Sequence, residues 1–156
     1  MKIELIVVGK TNNKNFQVGI DDYCQRISHY MPFSISVIPE LKNTKSLSEQ
    51  QQKEREGELI LSKLATSDHV VLLDEHGKEY RSIEFAKWIE QKQASVRKMV
   101  FVVGGPYGFS EAVYARANEK ISMSKMTFSH QMIRLIFTEQ VYRACTIIKG
   151  EPYHHE

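Results

Sequence analysis

The sequence is short of the features that announce a specialised chain, and each shortage narrows the choices. Only two cysteines, Cys24 and Cys145, occur in 156 residues. They lie far apart, without CxxC or Cys/His spacing, which argues against a disulfide scaffold or a zinc site and for buried thiols in a reducing cytoplasm. No apolar run approaches the ~20 residues of a membrane span. The opening MKIELIVVGK has too short an apolar core, interrupted at Glu4, to be a secretion signal. A Gly/Ser-rich linker, a repeat and a low-complexity tract are all missing, so one domain over 1–156 is expected. The GxxxxGK[ST] phosphate loop is absent, and the first strand is followed by only Gly9, then Lys10 and Thr11, which argues against a dinucleotide fingerprint there.

What is present is an alternation of strand-like and helix-like segments. Residues 2–8 read as a strand and Gly9–Asn13 as a turn. Asn15 to Tyr30 has helical spacing through Phe16, Ile20, Tyr23 and Ile27. Phe33–Pro39 reads as a second strand. Ser46 with Glu49 suggests a capping box for a largely exposed helix, Leu47–Leu64. His69–Asp74 reads as a third strand ending in a turn at Glu75–Gly77. Ser82 is placed to cap a helix, Ile83–Gln93, with Phe85, Trp88 and Ile89 on its core face. The pattern predicts an α/β fold with a mostly parallel sheet of five or six strands and helices on both faces.

The C-terminal third holds the chemistry. Val100–Val103 is a short, β-branched, apolar run that stops at Gly104-Gly105-Pro106-Tyr107-Gly108. Ser110 and Glu111 then start a helix. A strand near Lys120–Met123 leads into the polar loop Ser124–Ser129, and Ser129 is placed to cap a long helix, His130–Lys149. In a parallel sheet these two strand–loop–helix corners open on the same edge, where ligands bind in such folds. Pro106 removes one amide donor, so the glycine corner suits close approach to a planar or neutral ligand better than a pyrophosphate. Leu73 ends the neighbouring strand, and a pocket of adenine size could be built from Leu73, Gly105 and the backbone of Ser124–Ser129.

The net charge of +2 is too small to announce a nucleic-acid binder. Its distribution says more: Lys120–Lys149 carries five basic residues, Lys120, Lys125, Arg134, Arg143 and Lys149, against Glu139 alone. That face suits an anionic partner or is a solvated helix face. The last helix is apolar on more than one side, which predicts burial inside the domain or against a second copy, and the homodimer is favoured because a domain of 156 residues has few other elements to cover it. The ending Glu151-Pro152-Tyr153-His154-His155-Glu156 is a frayed end, a purification remnant, or a docked cluster bearing two groups that titrate near neutrality.

Taken together, GGPYG after a strand, SMSKMTFSHQMIRLIFTEQVYRA and the terminal PYHHE resemble the small SPOUT-class methyltransferases of the RlmH type. MKIELIVVGK, the IPE segment near residue 38 and LLDEHGK at 72–78 fit as well, so the resemblance covers essentially the whole chain. It implies an α/β sheet whose C-terminal part threads a trefoil knot. It also implies S-adenosylmethionine as cofactor, held by Leu73, Gly105, Ser124, Lys125, Met126, Thr127, Phe128 and Ser129. The implied reaction is methylation of N3 of a pseudouridine in 23S ribosomal RNA, in the helix 69 loop. The implied enzyme is a homodimer acting on the assembled ribosome, one subunit's tail completing the other's site, with no metal and no membrane. Two positions depart from the family pattern: Tyr107 stands where a glutamate or other polar residue is common, and His155 where arginine is common.

The target imide nitrogen must lose its proton before it can accept a methyl group. Arg134 and Arg143 are candidates to stabilise that anion or contact phosphates. His154, His155 and His130 are candidate proton acceptors or RNA contacts, and Tyr153 is a candidate stacking partner. His29, His69 and His76 read as structural or solvent-exposed. The rivals are a non-enzymatic RNA- or ribosome-binding module of the same fold, and a nucleotide-binding regulator of flavodoxin type.

Overall fold

The computed structural model describes residues 1–156. Five strands, β1 (Lys2–Val8), β2 (Phe33–Ile38), β3 (His69–Glu79), β4 (Lys98–Val103) and β5 (Glu119–Ser122), form one sheet in the order β2-β1-β4-β3-β5. Every pairing is parallel, so each connection must cross over, and each carries a helix. Central strands buried on both faces read as continuous apolar runs. Met99–Val103 of β4 and Leu5–Val7 of β1 are buried in this way.

The helices are α1 (Lys14–Ser28), α2 (Glu49–Ser62), α3 (Ser82–Gln93), α4 (Glu111–Arg116) and α5 (Met132–Lys149). On one face α5 packs between α1 and α3, closing a core of Ile27, Val71, Phe85, Phe101, Phe137 and Val141. The smaller opposite core joins Ile60 of α2 and Val113 of α4 to Ile6, Leu72 and Val102. Much of the apolar surface of α5 is therefore covered within the chain. Phe137 is fully buried, its ring 4.8 Å from that of Phe101.

Several boundaries differ from those the sequence suggests, each for a local reason. The capping box of α2 is Ser48/Gln51, not Ser46/Glu49: the Gln51 N–H donates to Ser48 Oγ at 3.1 Å, and the Ser48 N–H to Gln51 Oε1 at 2.9 Å. Ser46 is taken up in a single 3₁₀ turn, Thr44–Ser46, closed by the Leu47 N–H on the Thr44 carbonyl. Ser82 is the first residue of α3 and not its cap; the Glu84 carboxylate accepts the N–H of Arg81 instead. Strand β3 does not end at Asp74. It leaves β5 after Leu73 and rejoins it at Lys78, both opposite Ile121, so residues 74–77 bulge outward. A Cβ on Gly77 would lie 2.6 Å from the Ile121 backbone, which is why that crossing takes glycine. Helix α5 starts at Met132 rather than His130, and Ser129 still serves it: its Oγ accepts the Met132 N–H at 3.1 Å. The helix ends at Gly150, whose φ of +71° suits a residue without Cβ.

Candidate cofactor pocket and tail cluster

The bulge of β3 and the carboxyl ends of β4 and β5 frame a cavity of about 590 Å³, well within the size range of small-molecule sites. One wall is the glycine corner. The Gly108 N–H donates to the Gly105 carbonyl at 3.1 Å, and Gly108 takes φ +82°, so Pro106 and Tyr107 sit at the tip of a tight turn. The opposite wall is the loop after β5, where Ser124 Oγ accepts the Met126 N–H at 3.0 Å and the Ser124 carbonyl accepts Ser122 Oγ–H at 2.8 Å. Leu73 and the bulge at Asp74 make the floor.

Of the residues singled out in the sequence, Leu73, Gly105, Ser124, Met126, Thr127, Phe128 and His130 line this cavity. Lys125 and Ser129 belong to the same loop but are not among the lining residues. Met126 and Phe128 are large apolar side chains left exposed at the rim, 77% and 39% respectively.

Asp74 has a role that sequence reasoning missed. Its carboxylate accepts the Tyr114 hydroxyl and the backbone N–H of His76 at 2.8 Å. Burial raises its pKa, but those hydrogen bonds more than offset this and hold it below the usual carboxylate value. The same contact pushes the Tyr114 phenol up to about 12, burial being the larger cause. Glu56 was missed too, because α2 reads as an exposed helix; its carboxylate is buried and accepts the Gly105 N–H at 3.0 Å.

The other candidates collect elsewhere. The tail folds back on α5, where Tyr153 packs edge-on to Tyr142 with ring centroids 4.7 Å apart and donates to Glu139 at 3.0 Å. Arg143 donates to the same Glu139 oxygen at 2.5 Å and lies 3.1 Å from His154 Nδ1. Arginine has no acceptor, so this contact assigns the Nδ1 lone pair to Arg143 and the proton to Nε2. That Nε2 is buried without a partner in the chain. The Glu139 carboxylate holds the Arg143 pKa above its ordinary value. The tail is thus a docked cluster, tied also by the Tyr30 hydroxyl to Glu151 at 2.6 Å. His155 is exposed beside it. None of Arg143, Tyr153, His154 and His155 lines the cavity.

Arg134 belongs to neither group. It is 1% exposed, and its guanidinium donates to the carbonyls of Val8 at 2.8 Å and Gly9 at 2.9 Å and to Thr11 Oγ1 at 3.0 Å. These bonds bind α5 to the end of β1, so the guanidinium does not face an anionic partner in this chain. His69 meets Glu119, and His76 is largely exposed.

A parallel α/β sheet with a glycine corner and a polar loop facing each other across one edge defines a class. The chain belongs to the SPOUT methyltransferase family: residues 1–154 match the family described as "Predicted SPOUT methyltransferase". Membership implies that the C-terminal segment is threaded as a trefoil knot, one of the few exceptions to the rule that chains do not thread loops. Among particular proteins, it is 64% identical to one from Bacteroides fragilis, over the whole length of both chains, named ribosomal RNA large subunit methyltransferase H. Proteins of the same name from Phocaeicola vulgatus and Flavobacterium johnsoniae are 62% and 56% identical, again over both full lengths.

Proposed function

We propose that this protein uses S-adenosylmethionine to methylate N3 of a pseudouridine in 23S ribosomal RNA, in the helix 69 loop, acting in the cytoplasm as a homodimer on the assembled ribosome. The observation that carries the proposal is the separation of two half-sites: a cavity at the glycine corner, and a polar tail cluster outside it. A second copy whose tail faces the first copy's cavity completes one site from both.

The cavity suits the cofactor. It presents Leu73 and Phe128 for an adenine ring, glycine backbone for close approach, and the hydroxyls of Ser124 and Thr127 for polar groups. Leu73, Gly105 and the loop Ser124–Ser129, with Lys125 and Ser129 acting through its backbone, would hold it there. When bound, this group supplies an electrophilic methyl on a sulfonium. The protein's work is then to position the acceptor and stabilise its anion.

If the target imide has a pKa about two units above ambient pH, presenting its anion costs roughly 3 kcal/mol. Arg143, held rigid by Glu139 and adjacent to His154, offsets part of that cost. The Nδ1 lone pair of His154 accepts from Arg143 and orients the guanidinium, and the imide proton leaves to solvent or to the exposed His155. Tyr153 fixes the cluster through Glu139, and His130 flanks the cofactor loop. Arg134 supports the strand end and touches no substrate.

Titration calorimetry with S-adenosylmethionine, followed by mass mapping of ribosomal RNA from a strain lacking the protein, tests the proposal. Binding, with loss of one methyl mark restored by the wild-type chain, is the expected result. Absence of binding together with unchanged RNA would favour a non-enzymatic RNA-binding module.

A further inference from the structure

We propose that Glu56 is a positioning residue for the cofactor pocket: from α2 it anchors the glycine corner through the Gly105 amide, and it is the reason residue 105 is glycine. The inference rests on the proposed cofactor site and adds to it a residue outside the cavity wall.

Three observations converge. First, the Glu56 carboxylate accepts the Gly105 N–H at 3.0 Å in a site where Glu56 is 7% exposed. No other hydrogen bond or ion pair is made by that side chain, so its one directed contact is with the corner. Second, Gly105 does not have the positive φ that distinguishes Gly108, so its backbone is open to any residue. A Cβ there would instead overlap both Glu56 oxygens and lie 2.6 Å from Cδ. The missing side chain makes room for the carboxylate, on the side of the corner facing α2. Third, the next residue on α2 repeats the arrangement. A Cβ on Gly57 would overlap Ser110 Oγ, and Ser110 caps α4 by accepting the Val113 N–H at 3.3 Å. Adjacent residues of α2 therefore seat both ends of the segment from Gly105 to Ser110.

A buried carboxylate with no cationic partner is costly. Burial raises its pKa, the Gly105 hydrogen bond lowers it, and the charge of Glu40 raises it further. An apolar residue would fill this space on α2 at less cost, which points to a role in holding the loop rather than in stabilising the fold.

The experiment compares wild type, Glu56→Ala, Glu56→Gln, Gly105→Ala and the Glu56→Ala/Gly105→Ala double variant. It measures S-adenosylmethionine affinity by calorimetry and amide exchange at Gly105, with Phe101 of β4 as an internal reference. The expected result is that Glu56→Ala weakens binding roughly tenfold and speeds Gly105 exchange, leaving Phe101 unchanged. Glu56→Gln, whose side-chain carbonyl still accepts the amide, stays within about threefold of wild type. Gly105→Ala, whose methyl displaces the Glu56 carboxylate, weakens binding about as much as Glu56→Ala and adds little in the Glu56→Ala background. If Glu56→Ala does not fold, Glu56→Asp, too short to reach the amide, takes its place. Wild-type binding and slow Gly105 exchange in the Ala or Asp variant would overturn the proposal, as would equal damage from Gly105→Ala in both backgrounds. If the wild type does not bind S-adenosylmethionine, the functional proposal fails, and Gly105 exchange alone decides the role of Glu56.

Discussion

Replacing Arg134 with methionine separates the buried structural role seen here from the phosphate contact that the sequence suggests. The guanidinium makes three hydrogen bonds, to the Val8 and Gly9 carbonyls and to Thr11 Oγ1, all between 2.8 and 3.0 Å. A hydrogen bond from a charged donor contributes about 1.5–3 kcal/mol. The gross loss is offset by relief of a buried charge, since burial already lowers the Arg134 pKa. Its Nε also lacks a partner. A net cost of about 3 kcal/mol is therefore expected, because the Val8 and Gly9 carbonyls and Thr11 Oγ1 all lose their donor. For a domain of this size that lowers Tm by roughly 6–12 °C. The assay is thermal unfolding of wild type, Arg134→Met and Arg134→Lys at one protomer concentration, because association would make Tm concentration-dependent. Lysine restores only part of the stability, having no planar fork to span two carbonyls. If Arg134 gripped an RNA phosphate instead, methionine would leave Tm within about 2 °C and reduce the salt slope of RNA binding by about one. That outcome would refute the structural role.

Two further predictions concern protons. Burial raises the Glu119 pKa, but hydrogen bonds from His69 and Lys92 more than offset this and hold it below 4.5; Asp74 is likewise held below 3.8. Because these folded-state values are depressed, their stabilisation is full above the unfolded values and is lost as pH falls through the folded ones. Glu119→Gln should flatten the acid limb of a Tm-versus-pH curve, and an unchanged limb would contradict the assignment. Glu56, with a raised value, has the opposite sign: its contribution is full below 4.5 and lost as pH rises through its folded value. Burial pushes the Cys24 thiol up to about 11 and the Cys145 thiol to about 12, so disulfide-exchange reagents at neutral pH should label the native protein slowly and both thiols at once after unfolding. Rapid native labelling would contradict this packing.

Where the sequence was legible, one physical rule dominated locally. The β-branched run before GGPYG could only be a buried strand, and both corners were recognisable because glycine, proline and hydroxyl residues punctuate apolar segments. The cavity itself follows from two corners on one parallel edge. The misses came from tertiary context. Helix α2 reads as exposed because its sequence is charged, yet Glu56 and Gly57 face α4 and the glycine corner. The turn after Asp74 is a bulge because β5 pairs with β3 on both sides of it. Arg134 looked like part of a basic face, and only the crossing of α5 over the end of β1 shows that backbone carbonyls take its donors. The apolar breadth of α5 reflects in good part its position between α1 and α3, which sequence alone could not separate from a subunit contact.

The central claim is that each complete site takes its cavity from one protomer and its tail cluster from another. Mixing two inactive variants tests it most directly: Thr127→Trp, which fills the cavity, and Arg143→Ala, which removes the tail cation. After subunit exchange, half the dimers pair one variant with the other, and each of those has one site with both halves intact. Methylation should return to roughly a quarter of the wild-type rate. A mixture as inactive as its parts, with exchange verified, would contradict the claim.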